Sequence, residues 1–244
     1  MSKKRVGIDI NEVLRARWLQ ADRFYAQEFG EEGIPDEEYV YDIWNDYEWK
    51  DTIEVLKELK EPSEILENIN PVHYQVDKDG KSDADAFLFK PEEKLKLSAR
   101  QMYNRFMYED FLFEIHGAAP KLYPQLDLDV NNFLLKYENI VDFTVMSVEN
   151  KFSIPPTLFF LSKIQARFKD YKFVDTALDM WKHVDVLITT NPTILKAGVP
   201  WGKKLIKLKR PYNIDLITGS MEAMQVVDLM ENKKFQKIIK YKSK

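Results

Sequence analysis

The chain has 244 residues, a net charge of -4, 45% apolar and 31% charged residues, and no cysteine. A chain of this size buries a full core, either as one large domain or as a core with an insertion. The whole-chain balance makes no case for nucleic acid and no apolar run reaches the length of a membrane span. The lack of thiols excludes disulfides, thiolate catalysis and cysteine–zinc sites, and it fits a reducing, cytoplasmic setting.

The N-terminus, Met1-Ser2-Lys3-Lys4, leads straight into an apolar strand, Val6 to Ile10, so no secretory signal is expected. That strand ends on polar residues and runs into a helix expected over Val13 to Phe29, with Val13, Leu14, Trp18, Leu19, Ala21 and Phe24 at three-to-four spacing. Gly30 and Gly33-Ile34-Pro35 stop it. From about Asp36 to Pro124 the texture changes. Acidic and aromatic residues interleave at Tyr39, Tyr41, Trp44, Tyr47 and Trp49. A helix is expected near Thr52 to Lys60, a hairpin turn at Asp77-Lys78-Asp79-Gly80-Lys81, and a helical pattern from Pro91 to about Ile115. No strand–helix alternation runs through this block. Residues 30–124 therefore read as a mostly helical insertion into a core formed by 1–29 and 125–244.

Alternation then resumes. Asp129 to Tyr137 reads as a helix, and Ile140 to Met146 as a strand ending at Ser147. Pro155-Pro156 opens a helix over Thr157 to Phe168, since prolines are tolerated in a first turn. Tyr171 to Val174 is a short strand, Ala177 to Trp181 a short helix, and Val184 to Ile188 an apolar strand ending in Thr189-Thr190-Asn191-Pro192. Ile194 to Ala197 is a helical turn closed by Gly198. Lys204 to Leu208 is a further strand, and Met221 to Tyr241 includes a terminal amphipathic helix. Strands alternating with helices predict an α/β fold, a Rossmann-like parallel sheet covered on both faces.

Three strand ends carry polar groups: Asp9 with Asn11, Ser147, and Thr189-Thr190-Asn191. In a parallel sheet such ends converge on one rim, where open α/β folds bind ligands. On local grounds alone Asp9 serves equally as a turn cap, and Ser147 and Thr190 as turn or N-cap residues. Lys163 on its own is a solvated helix lysine. His73, His116 and His183 are scattered, show no metal-ligand spacing and read as structural. The run Phe159-Phe160-Leu161 reads as core. Lys233, Lys234, Lys237, Lys240, Lys242 and Lys244 form a basic helix end, ordinarily a solvated face.

The pattern nevertheless resembles a known family. A first strand ending in Asp with a second acid two residues on, a later strand ending in Ser or Thr, a Lys on the next helix and a last strand ending in paired acids mark the haloacid-dehalogenase-like (HAD) hydrolase superfamily. The segment Asp185 to Pro192, followed by Gly198-Val199-Pro200 and Leu208-Lys209-Arg210-Pro211-Tyr212-Asn213, is similar to the end of its 5′(3′)-deoxyribonucleotidase branch. The resemblance implies a HAD-like core with a cap at 30–124. It also implies Asp9 as the nucleophile that forms an aspartyl-phosphate, Ser147 as the phosphate-binding hydroxyl, and Lys163, or in second place Lys151, as the phosphate-binding cation. Mg²⁺ is the ion that such chemistry requires.

The chain departs from that pattern at the places that matter. Asn11 stands at the acid/base position, and an amide exchanges no proton at neutral pH. General acid–base help is worth about 10²- to 10⁴-fold in rate. Glu12 stands where Gly is usual. Thr189 and Thr190 stand where metal-binding acids should be, leaving Asp9 as the one metal carboxylate. Asp185 lies at the other end of its strand, roughly 10 Å away at ~3.3 Å per residue. The expectation is a catalytically inactive HAD-like protein, kept as a binding or assembly module, with no cofactor. Its partner is expected to be a protein or another copy of the chain, engaged through the cap or the C-terminal tail, with no membrane and no direct nucleic-acid contact. The Lys-, Tyr-, Phe-, Asn- and Ile-rich composition with only 8 Gly resembles products of AT-rich genomes, phage included, and so places a virion component among the expected roles. The competing expectation is a Mg²⁺-dependent nucleotide phosphatase with Asp9 as nucleophile.

Overall fold

A computed structural model describes residues 3–30, 33, 41, 98–216 and 221–240. The expected helix near Thr52, the turn at 77–81, most of the aromatic stretch from Tyr39 to Trp49, His73, Lys242 and Lys244 lie outside them. The chain forms two compact units, Met1–Asp46 with Met107–Lys244, and Tyr47–Phe106. Of the second unit the described part is a helix, α2 (Ala99–Arg105), opened by a capping box between Ser98 and Gln101. Residues 107–124, grouped with the insertion on sequence grounds, belong to the first unit.

That unit is built on six parallel strands: β1 (Lys4–Asp9), β2 (Val141–Val148), β3 (Asp170–Val174), β4 (Val186–Thr189), β5 (Lys204–Leu208) and β6 (Met221–Ala223). Their order is β3-β2-β1-β4-β5-β6, the doubly wound Rossmann arrangement. The expected α/β sheet is present, extended by β6. This three-residue strand is too short to show a period of its own.

Helices occupy both faces: α1 (Arg17–Phe29), α3 (Leu112–His116), α4 (Leu126–Tyr137), α5 (Ile154–Lys163), α6 (Pro192–Ala197) and α7 (Lys233–Lys240). Side-chain alternation along the strands sorts the core into two layers. Val6, Ile8, Val145, Val186, Ile188 and Ile206 face α4, α5 and α7. Met146, Leu187 and Leu205 face α6 and the 3₁₀ turn Ala177–Lys182. Gly7 points into the second layer. A Cβ there would stand 2.9 Å from both Met146 Sδ and Val184 Cγ1, so the close packing of that layer needs glycine.

Two helices are shorter than their periodicity predicts. α1 begins at Arg17, because Glu12 takes a left-handed backbone (φ 61°) and the next residues turn away to pair with another segment. Ala16 N–H donates to Pro120 O, and Leu122 N–H to Leu14 O. α5 stops at Lys163 because Gln165 is left-handed (φ 49°). Asn131 of α4 fixes that exit, donating to Gln165 O and accepting from Arg167 N–H. Of the expected core run, Phe160 and Leu161 are buried, but Phe159 is 49% exposed and packs at a tilt against the Phe113 ring. The terminal helix is amphipathic as expected, with Phe235 and Ile239 buried and its lysines exposed. Among the described residues no helix is long and apolar enough to cross a membrane.

Candidate functional site

Register decides which residues meet at the carboxyl rim. Asp9 is level with Met146 of β2, so Ser147 lies one residue beyond it. Ile8 pairs with Ile188 of β4, so Asp9 is level with Thr189. Asp9, Asn11, Ser147, Thr189 and Thr190 are thereby brought together, and all are buried.

Their polar atoms are engaged with one another. Thr189 Oγ1 donates to Asp9 Oδ2 at 2.7 Å, and Asn11 N–H donates to Asp9 Oδ1 at 3.3 Å. Asn191 N–H in turn donates to Thr189 Oγ1. Asn11 Nδ2 donates to Ser147 Oγ at 2.9 Å, and Ser147 Oγ donates to Glu149 Oε1 at 2.8 Å. Thr190 Oγ1 makes a long contact to Asn11 O. Asn213 Nδ2 bridges Thr190 O and Leu208 O, tying the tips of β4 and β5 together.

Arg15 is a cation that the structure holds at this rim, and Lys163, the expected one, is not brought there. Lys163 is exposed at the far end of α5, six residues and ~9 Å along the axis from Thr157, which does reach the site. Among the described residues nothing links it or Lys151 to Ser147; Lys151 is exposed beside the Phe152 ring. The Arg15 guanidinium is fully buried. It donates from Nε to Asn11 Oδ1, from Nη1 to His116 O and Thr157 Oγ1, and from Nη2 to Glu149 Oε1. Glu149 also accepts from Ser153 and Thr157, so a buried ion pair sits inside a ring of hydroxyls. His116 completes it, with Nδ1 3.4 Å from Glu149 Oε2 and Nε2 against Met107 O. Burial and the neighbouring Arg15 push His116 down to about 4, against the pull of Glu149, so the ring is neutral near pH 7.

Arg15, Glu149 and His116 were not singled out by sequence reasoning as members of one site. The available signals were slight: a carboxylate two residues past Ser147 and an arginine four past Asn11.

Glu12, which stands where Gly is usual in the resemblance, has a definite task. Its Oε1 accepts Trp18 N–H at the start of α1, where the cap residue Ala16 has no side chain to offer. Arg210 Nε donates to Glu12 O and holds the turn from the β5 side. Burial pushes both Asp9 and Glu12 up to about 7, although Thr189 and the Asn11 amide oppose the shift at Asp9 and the Trp18 amide opposes it at Glu12. Glu149 goes the other way. Burial alone would raise it, but Arg15 and His116 outweigh burial and hold it well below the usual carboxylate range.

These residues do not fit Mg²⁺. The ion takes six oxygens at about 2.1 Å, with carboxylates supplying the charge. Among the described residues of this rim, Asp9 is the carboxylate with neither an ion pair nor a helix-capping role, and both of its oxygens accept hydrogen bonds. Thr189 reaches it as a donor, Glu12 faces α1 and Glu149 faces Arg15. Among the described residues no three histidine, cysteine, aspartate or glutamate side chains converge.

No family model matches the chain, and no curated protein matches it. Solved structures that resemble it include a HAD-superfamily hydrolase, subfamily IA, from Geobacter sulfurreducens PCA. It is 11% identical over 94% of this chain and 95% of that one, with a TM-score of 0.47. The magnesium-bound HAD-hydrolase YfnB from Bacillus subtilis gives 13%, 94%, 97% and 0.46. The L-2-haloacid dehalogenase PA0810 gives 12%, 94%, 98% and 0.42. At these scores and identities the matches assign neither a family nor an activity to the chain.

Proposed function

We propose that this chain is a non-catalytic protein on a HAD-like α/β core, retained as a binding or assembly module. One observation carries the reading. The hydrogen-bonding groups of Asp9, Asn11 and Ser147 at the strand tips are engaged by other protein groups, with Arg15 and Glu149 buried among them. A phosphate bound at Ser147 would have to displace Asn11 or Glu149 from its hydroxyl. The amide at Asn11 and the hydroxyls at Thr189 and Thr190 supply neither a transferable proton near neutral pH nor a charge for a divalent ion. Under this reading the partner is a protein or a second copy, met through residues 30–124 or the lysine-bearing face of α7, in the cytoplasm or, for a phage-encoded protein, in the assembled particle.

The rival is a Mg²⁺-dependent phosphatase of the 5′-nucleotidase type with Asp9 as nucleophile. The test is direct: the purified full chain, with Mg²⁺ and p-nitrophenyl phosphate or nucleoside monophosphates, is expected to release no phosphate above the buffer rate. Turnover that disappears in Asp9→Asn would establish the rival instead.

A further inference from the structure

At the opposite, amino-terminal rim of the sheet, a cavity of about 450 Å³ opens between the start of β5 and α7. Lys203, Lys204 and Lys234 line it together with aliphatic Val199, Met221 and Ile238, and no acidic residue does so among the described residues. Lys204 and Lys234 are exposed and, among the described residues, pair with no carboxylate. Lys203 donates to Trp181 O, and Asp185, which also attracts Lys203, is bound to Arg5. A chain with a net charge of -4 thus gathers three cations around an apolar pocket.

Trp201 lies in the loop between Val199 and Lys203, which both line this pocket, and is 99% exposed. Its loop is shaped by left-handed Gly198 (φ 81°) and Gly202 (φ 78°). A wholly exposed indole forgoes the burial that stabilises most tryptophans, and this residue type dominates the central contacts of protein interfaces.

From this combination we infer that the Trp201 loop and the lysine-lined pocket form a docking site for an acidic, leucine-bearing segment of a protein partner. Charge complementarity selects an acidic occupant. The aliphatic lining selects side chains such as Leu, which a nucleic-acid backbone lacks. The carboxylates meet Lys204 and Lys234, the leucines cover Val199, Met221 and Ile238, and Trp201 closes over the segment. The site lies at the rim away from Asp9, so it stands or falls separately from the reading of that site.

The probe is a fluorescein-labelled peptide of four Asp-Leu-Glu repeats, titrated with the full chain and read by anisotropy. Poly-glutamate and a fifteen-nucleotide oligo-dT serve as comparators. Saturable peptide binding is expected, weakened about tenfold or more by K204E/K234E and by Trp201→Ala, with both comparators at least about tenfold weaker. All three positions are exposed, so thermal melts of the variants should match the parent, and a matched melt makes the loss of binding a surface effect. The inference is overturned by absence of peptide binding, or by binding indifferent to these substitutions. Poly-glutamate binding equally well would reduce the site to bulk charge attraction. Tighter binding of oligo-dT would make the partner a nucleic acid. A dimer in sedimentation that Trp201→Ala dissolves, without peptide binding, would make it a second copy.

Discussion

The Thr189 hydroxyl donates to Asp9 Oδ2 at 2.7 Å, joining the tips of β4 and β1. In a hydrolytic reading Asp9 should be a free, ionised nucleophile. Here it is buried, lifted to about 7, and bonded on both oxygens. Between about pH 4 and 7 the folded chain keeps a proton on Asp9 that the unfolded chain has released. Stability therefore declines as pH rises through that window and levels off above it. Asp9→Asn should remove this slope. The stability of the parent relative to the variant should fall by roughly 3–4 kcal/mol between pH 4 and 8 in paired urea titrations. His116 has the opposite slope between about pH 4 and 6.5 and, like Glu12, is common to both proteins, so it cancels in the difference.

Arg15 and Glu149 form a pair with both side chains 0% exposed. Removing one partner strands the other charge in the interior. Arg15→Met is expected to cost about 3–5 kcal/mol. Adding Glu149→Gln should return part of that loss, and a double-mutant cycle by urea unfolding should show coupling of about 1–3 kcal/mol. Additive losses would mean that the two residues act independently.

Glu12 combines a left-handed backbone with a carboxylate that caps α1. Glu12→Ala loses the cap and keeps the strain, whereas Glu12→Gly loses the cap and relieves it. The alanine variant should be less stable than the glycine variant by about 1 kcal/mol, measured by thermal unfolding at pH 5.

Gly7→Ala introduces a methyl group 2.9 Å from Met146 Sδ and Val184 Cγ1. Overpacking of this kind costs about 1–3 kcal/mol. Pairing it with Met146→Ala should recover stability relative to the sum of the two single changes.

Asn11→Asp puts a second acid two residues past Asp9, but in place of an amide that donates to Ser147 and accepts from Arg15. The new carboxylate would keep Arg15 and bring a second negative charge near Glu149. It is expected to release no phosphate from p-nitrophenyl phosphate with Mg²⁺. Brisk turnover by this variant would mean that the pocket had kept a catalytic geometry.

The fold was largely legible because strand alternation and apolar runs are local. β1 through β5 and most helices fall where their periodicity puts them. The misses have physical causes that lie far away in sequence. The start of α1 is displaced by pairing between residues 14–16 and 120–122, and α5 is cut short by Asn131, neither of which leaves a periodic trace. At the rim, Asp9, Ser147 and the Thr189–Asn191 turn are legible because residues at parallel strand ends must converge. Arg15 was not, because an arginine inside a stretch that reads as helix, Val13 to Phe29, counts as solvated until the carboxylate that buries it, 134 residues later, is known. Lys163 was weighed only by its place on the helix after Ser147, and α5 carries it to the exposed end away from the rim.

The Arg15 guanidinium reaches four acceptors on four separate stretches of chain: Asn11, His116, Glu149 and Thr157. This arrangement couples those stretches to one another. Under the proposed non-catalytic reading, any change toward a hydrolytic site would have to alter several of these residues together, because each intermediate would carry a stranded interior charge and fold poorly. Descendants of this chain are therefore expected to diversify at their surfaces while the strand tips stay frozen.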